Sequence, residues 1–275
     1  MKKLKLHCPI CQNTKTAVVL TAEGYRFFHC HRCDLVYRSF QNRQNRDILY
    51  SNQYYRQGSK LKRKIEKFLT KLVNYRRKQL IEKWQNKGKI LDLGCGLGQF
   101  LNQMNSRNWQ KIGIEPSQAA YQQIAKLNFT IYQKELTDIN LPKNSLDVIT
   151  AWHVLEHLSN PKITLSEIHR ILKKDGFLFF STPNTDSFGF EKGREKWFHL
   201  DASRHLFLFN AKSLKKILNQ TGFRIIKINY PFFEYPLDLF HSLNGVNKFV
   251  LGLGGKLISP FIKKTETIEI VCQKK

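Results

Sequence analysis

"KILDLGCGLGQF", residues 89–100, decides the fold. Ile90 to Leu93 read as a strand that runs straight into glycines, and a helix opens at Gln99. A strand, a glycine turn and a helix in succession form the opening unit of a parallel α/β sheet. In such sheets ligands bind beyond the carboxyl ends of the strands, where Gly94, Gly96 and Gly98 fall. A dinucleotide fingerprint, G-x-G-x-x-G, places its third glycine at position 99, and this chain has Gln99 there. What remains is a G-x-G-x-G loop, which lets backbone approach a ligand without being shaped for phosphates.

Downstream the pattern repeats. "KIGIEPS" is a second strand ending in Glu115, "FTIYQ" a third, "SLDVITAW" a fourth and "GFLFFSTPN" a fifth, and "GFRIIKINY" and "TIEIVCQ" close the series. Helical spacing lies between early members, over Gln118 to Leu127 and Lys162 to Leu172. Strand and helix in alternation predict a parallel sheet covered on both faces. Glu115, at the end of the second strand, is placed for a carboxylate to accept both hydroxyls of a ribose.

Four stretches, "ILDLGCGLGQF", "GIEPS", "LDVITAWHVLEHLSNP" and "DGFLFFSTPNTDS", together resemble the class I S-adenosylmethionine (SAM) dependent methyltransferases across roughly residues 86 to 273. The resemblance implies a Rossmann-like α/β fold: a seven-stranded sheet flanked by helices, its last two strands an antiparallel hairpin. It implies SAM as cofactor, with Asp92, Gly94, Cys95, Gly96 and Gly98 at the methionine end and Glu115 on the ribose. Glu135 and Leu136 would meet adenine, and Trp152 and His153 would lie beside the cofactor.

Ahead of this unit stand "CPIC" (Cys8, Cys11) and "CHRC" (Cys30, Cys33), two C-x-x-C pairs separated by eighteen residues. Each pair can offer two thiolates to one side, and two such knuckles complete a tetrahedral shell for Zn²⁺ with no open position, a structural site. A redox centre needs only one pair, and a cytosolic compartment disfavours disulfides. Three units are therefore expected: a zinc ribbon over 1–40, a linker and basic amphipathic helix over 41–85, and a SAM-binding domain over 86–275 that carries an apolar insert at 231–262. The ribbon followed by "DLVYRSF" resembles an arrangement found among small-molecule and sugar-pathway methyltransferases.

The chain has 46 Lys and Arg against 21 Asp and Glu, a formal charge of +25, which suits anionic partners or simply solubility. Apolar residues from Leu61 to Trp84 recur near helical spacing among basic ones, with a break expected near Asn74. Such a helix, like the apolar insert, can lie on an anionic membrane surface or pack on the next domain. No window is apolar enough to span a bilayer and the start lacks a secretory apolar run, so a cytoplasmic protein is expected, peripheral at a membrane if these segments dock there.

Methyl transfer to an oxygen also needs a base, and histidine titrates near neutrality. His157, after the fourth strand, and His205, in "WFHLDASRHLFLF", are the candidate catalytic residues, with His205 preferred. The expected acceptor is a small metabolite, sugar-linked or lipid-linked. Nucleic acid is the second choice: charge and ribbon speak for an RNA methyltransferase, while no N-P-P-Y-like segment for a base nitrogen is present. His153, Glu156 and His157 also match the H-x-x-E-H spacing of a class of zinc peptidases, which needs one regular helix. "LDVIT" instead predicts a strand ending at Trp152 or His153, and Asn160–Pro161 a fresh helix start. A scaffold that keeps the fold without catalysis is the non-enzymatic alternative.

Overall fold

Strand β4 (Gly88–Leu93) forms where Ile90 and Leu91, both fully buried, leave the chain nothing to do but enter a sheet interior. In this computed structural model, residues 7–39, 60–231 and 265–275 are described, with side chains from residue 67 onward in the second segment. Most of the expected linker (40–59) and of the apolar insert (232–262) lie outside the described residues.

The main sheet also contains β5 (Trp109–Ile114), β6 (Thr130–Tyr132), β7 (Leu146–Trp152), β8 (Leu172–Pro183), β10 (Phe223–Asn229) and β11 (Thr267–Lys274). Its seven strands run in the order β10-β11-β8-β7-β4-β5-β6. The central β4 pairs in parallel with β5 on one side and β7 on the other. The chain therefore builds outward through β5 and β6, then returns to the far flank of β4, and this reversal opens a crevice at the strands' carboxyl ends. The hairpin β10–β11 is antiparallel, as the resemblance implied, with β11 inserted antiparallel beside β8.

Helix α1 (Lys60–Glu82) is continuous through Asn74. No glycine or proline interrupts it, and Asn74 is buried with its Oδ1 accepting from Arg77 Nη1 one turn on, so its side chain does not compete for the backbone. Arg76 Nη2 lies 2.7 Å from Oε2 of the fully buried Glu269 on β11, which ties the helix to the sheet. Short helices α2 (Gln99–Gln103) and α3 (Gln118–Ile124) follow β4 and β5, and α4 (Pro161–Ile171) follows β7. Asn160 caps α4 through Ile163 N, with Pro161 at its first turn. Helices α5 (Phe188–Gly193) and α6 (Ala211–Gln220) complete the set. No described helix is long and apolar enough to cross a membrane.

The amino-terminal strands β1 (Thr16–Ala22), β2 (Tyr25–Cys30) and β3 (Val36–Arg38) form a second, antiparallel sheet whose fourth member is β9 (Phe207–Leu208), from the far end of the chain. The ribbon thus shares its sheet with the α/β unit. Its buried cysteines belong to the same apolar cluster as Leu155, Phe207 and Leu214.

Candidate active site

At the carboxyl end of β4, Gly94, Gly96 and Gly98 all take positive φ, +67°, +53° and +67°. A Cβ at Gly94 would lie 2.7 Å from Val154 Cγ2, so backbone and side chain could not both keep their places. A Cβ at Gly96 would meet nothing within 4 Å: this turn faces open space, the cradle a ligand needs. Glu115 holds the loop, its Oε2 accepting from Gly96 N at 2.8 Å and its Oε1 from Ser117 N at 2.9 Å. Burial pushes the Glu115 carboxyl up, against the pull of those two N–H donors. Each carboxylate oxygen has a second lone pair, so bracing the loop leaves acceptor capacity for a ribose. Beneath the loop, Asp92 is nearly fully buried and takes a 2.6 Å hydrogen bond from Thr150 Oγ1. Burial drives its carboxyl up to about 7, moderated by Thr150 and the Arg77 charge.

The other end of the same cleft, about 1970 Å³ in volume, is lined by histidines. His153 sits just past β7 at φ +55°, and a 3₁₀ turn, Leu155–His157, follows before α4. His153, Glu156 and His157 therefore straddle a strand end and a tight turn rather than sharing a helical face, which removes the geometric basis of the peptidase reading. Glu156 is completely buried, with neither oxygen hydrogen-bonded among the described residues. His153 Nδ1 is 3.3 Å from its Oε1, an ion-pair distance out of line for a hydrogen bond. Burial opposes ionisation of Glu156, yet His153, His157 and His205 outweigh it and hold the carboxyl at about 2. The His157 and His205 rings lie 4.7 Å apart. His205 Nδ1 faces His199 O at 2.9 Å and His157 Nδ1 faces Arg204 O at 3.3 Å, which puts a proton on each Nδ1. Burial, and after it the neighbouring His157, press His205 down to about 3, and burial lowers His157 as well. Donor atoms of Glu156, His157 and His205 lie within 4.8 Å of one another, a set compatible with a proton relay or a cation.

In the ribbon, the two knuckles are built alike. Gln12 and Asp34, each following the second cysteine of its pair, have φ +58°, and their amides donate to Cys8 O and Cys30 O at 2.9 and 2.8 Å. All four Sγ atoms are within 4.8 Å of one another, with Cys8–Cys33 at 3.6 Å and Cys11–Cys30 at 3.4 Å. Tetrahedral Zn–S bonds of about 2.3 Å put sulfurs about 3.8 Å apart, so these residues fit zinc.

Residues 54–228 match the family described as methyltransferase domain. The chain belongs to the methyltransferase-domain family. A probable SAM-dependent methyltransferase of Mycolicibacterium smegmatis is 27% identical over 177 residues, 64% of this chain and 63% of that protein. A malonyl-[acyl-carrier protein] O-methyltransferase of Paenibacillus is 27% identical over 155 residues, 50% of this chain and 56% of its own. The chain spans less than two thirds of the length of these curated relatives. A SAM-dependent methyltransferase from Archaeoglobus fulgidus shares the fold, with a TM-score of 0.56 at 22% identity over 74% of this chain and 93% of that one. The α/β unit is accordingly a class I SAM-dependent methyltransferase domain.

Within this methyltransferase domain the expected cofactor residues divide. Asp92, Gly94, Gly96, Glu115, Glu135, Trp152 and His153 line the cleft. Leu136 does not: the first residue of a 3₁₀ turn, it points into the core, and Thr137 beside it reaches the cleft. Gly98 caps α2 and lies off the lining. Cys95 touches the cleft, but its thiol packs in the apolar cluster over Gly113, whose added Cβ would sit 2.8 Å from Sγ. Arg77 was not anticipated. It comes from α1, stacks 4.5 Å above the Trp152 ring and lines the cleft beside Asn74. Its signal was present as two polar residues, Asn74 and Arg77, at helical spacing with the buried Ile81.

Proposed function

We propose that the protein binds SAM at the glycine-loop end of the cleft and methylates an oxygen of a small metabolite, sugar-linked or lipid-linked, at the histidine end. One observation carries this reading: a ligand cradle and a buried imidazole–carboxylate cluster open into the same cleft. Glu115, Asp92 and the Gly94–Gly96 backbone would hold the cofactor, with Trp152 and Arg77 forming a wall. The bound cofactor supplies a methyl group already activated on a sulfonium, so the protein's work is alignment and water exclusion.

With its proton on Nδ1, His205 presents Nε2 as acceptor for the proton of the substrate hydroxyl. Burial presses this imidazole towards its neutral form, hence able to accept. It also makes the imidazole a weak base. The anionic Glu156 offsets that weakness once a proton arrives, because opposite charges attract strongly in a buried site. His157 lies against His205 as the second candidate for this proton. The Paenibacillus relative is an O-methyltransferase, which supports oxygen as acceptor atom. The four cysteines are assigned a structural Zn²⁺ that supplies folding free energy to a ribbon too small to build its own core.

The test is transfer of labelled methyl from SAM to pools of small hydroxylated acceptors and, in parallel, to RNA. Incorporation into small acceptors that is abolished in His205→Ala, with SAM binding intact by calorimetry, is expected. Salt-sensitive retention of RNA together with its methylation would instead establish the RNA reading that the +25 charge favours. Loss of transfer on chelation, with the ribbon's metal retained, would show that Glu156, His157 and His205 act through a cation.

A further inference from the structure

The ribbon lies against the segment that carries His205. Val36 and Tyr37 of β3 pair with Leu208 and Phe207 of β9. Arg38, buried to 6% exposure, directs Nη1 to two consecutive carbonyls, Ala202 O and Ser203 O, each at 2.8 Å. Its guanidinium carbon is held 4.4 Å above the Tyr25 ring of β2. Leu206 is gripped from both sides: its carbonyl accepts from Arg38 N at 2.9 Å and its N–H donates to Glu156 O at 2.8 Å. Ribbon edge, His205 segment and the Glu156–His157 turn thus form one continuous ladder. Asp34, directly after Cys33, pairs at 2.9 Å with Lys212 of α6, the helix that follows β9 in the chain. Arg38 itself, Ala22 at the end of β1 and Glu23 in the turn after it line the cleft.

We propose that the ribbon is a working part of the active site, with Arg38 the positioning residue that clamps Ala202–Leu206 and so aims His205, and with the four-cysteine site keeping that clamp in register. The proposal rests on the assignment of His205 above; the clamp itself is read out by backbone protection over 201–208. A guanidinium that donates to two carbonyls of a loop fixes the loop's path, and charge-assisted bonds of this kind are the stronger ones. Knuckles that come apart on metal loss release β3, and with it β9 and Arg38.

The experiment is hydrogen–deuterium exchange on the full chain, comparing wild type, Arg38→Gln, Arg38→Lys and wild type treated with a chelator. In Arg38→Gln, amides over 201–208 are expected to exchange roughly tenfold faster or more, while those over 90–98 keep their protection. Chelated wild type shows the same loss over 201–208 together with loss across the ribbon itself, again sparing 90–98, and Arg38→Lys, which can still donate to both carbonyls, recovers part of the protection that Arg38→Gln loses. SAM affinity stays within about twofold, and kcat falls more than KM changes. Unchanged protection over 201–208 in Arg38→Gln, or a loss spread equally over 90–98, overturns the clamp. Absence of methyl transfer in wild type would count against His205 as base while leaving the exchange result to decide the clamp.

Discussion

The two ends of the cleft are made in opposite ways. At the proposed cofactor end, backbone does the work: three left-handed glycines, two N–H groups braced on Glu115, and one carboxyl under the loop, all from two adjacent strands and their turns. At the proposed acceptor end, side chains do it: imidazoles gather on a buried carboxylate, each brought by a turn or loop that another element must hold. Backbone cradles suit a ligand of constant shape, whereas side-chain clusters on loops can be re-aimed for different acceptors over one scaffold.

The largest expected effect falls at the acceptor end. His205→Gln should lower kcat about 10²- to 10⁴-fold, the usual contribution of a positioned base, with SAM affinity unchanged by calorimetry. An equal loss of SAM affinity would erase the division between the two ends. Conversely, Glu115→Ala should weaken SAM binding about 10- to 100-fold, since it removes the acceptor of two backbone donors and, on the proposed binding mode, of the ribose.

Acid should separate the ends by sign. His205 is held at about 3 against 6.5 when unfolded, so the unfolded chain binds the extra proton between these values and stability falls as pH drops through that window. Glu156, at about 2 against 4.5, contributes stability above pH 4.5 that is lost as pH falls towards 2. Asp92, raised to about 7 from 3.8, runs the other way: the folded state holds its proton more tightly, so its contribution is lost as pH rises from 3.8 through 7. Exchange measured at pH 7 and pH 5 should therefore show the 153–157 and 199–208 segments loosening on acidification while 90–96 does not. A smaller effect concerns binding: if the ionised Asp92 is the form that receives the cationic cofactor, SAM affinity falls with pH below about 7, by at most tenfold per unit. A flat binding profile from pH 5 to 8 would remove Asp92 from that role.

The same contrast explains what could be read from the chain. Ile90–Leu93, the glycine triplet and Glu115 lie within a short span and obey local rules of burial and turn chemistry, so the strand, its glycine turn and the carboxylate beside it were legible. The C-x-x-C pairs were legible because four thiols at that spacing have one economical arrangement. Arg38 and β9 were not. A two-residue strand has no periodicity, and a pairing across some 170 residues leaves no local trace. Arg77 was hidden by a helix whose polar residues look solvated until Trp152 is placed beneath them. That the Leu136 side chain turns into the core and Thr137 towards the cleft was not legible, because a 3₁₀ turn leaves no periodicity to read.

The Cys95 thiol, tucked over Gly113 at the back of the glycine loop, gives the domain a built-in reporter. Burial raises its pKa, so in the closed loop it is chemically silent. An alkylating reagent reaches it when the loop lifts off β5, and site-resolved labelling of Cys95 therefore clocks that opening from within the unmodified chain. A ligand seated in the cradle should slow the clock.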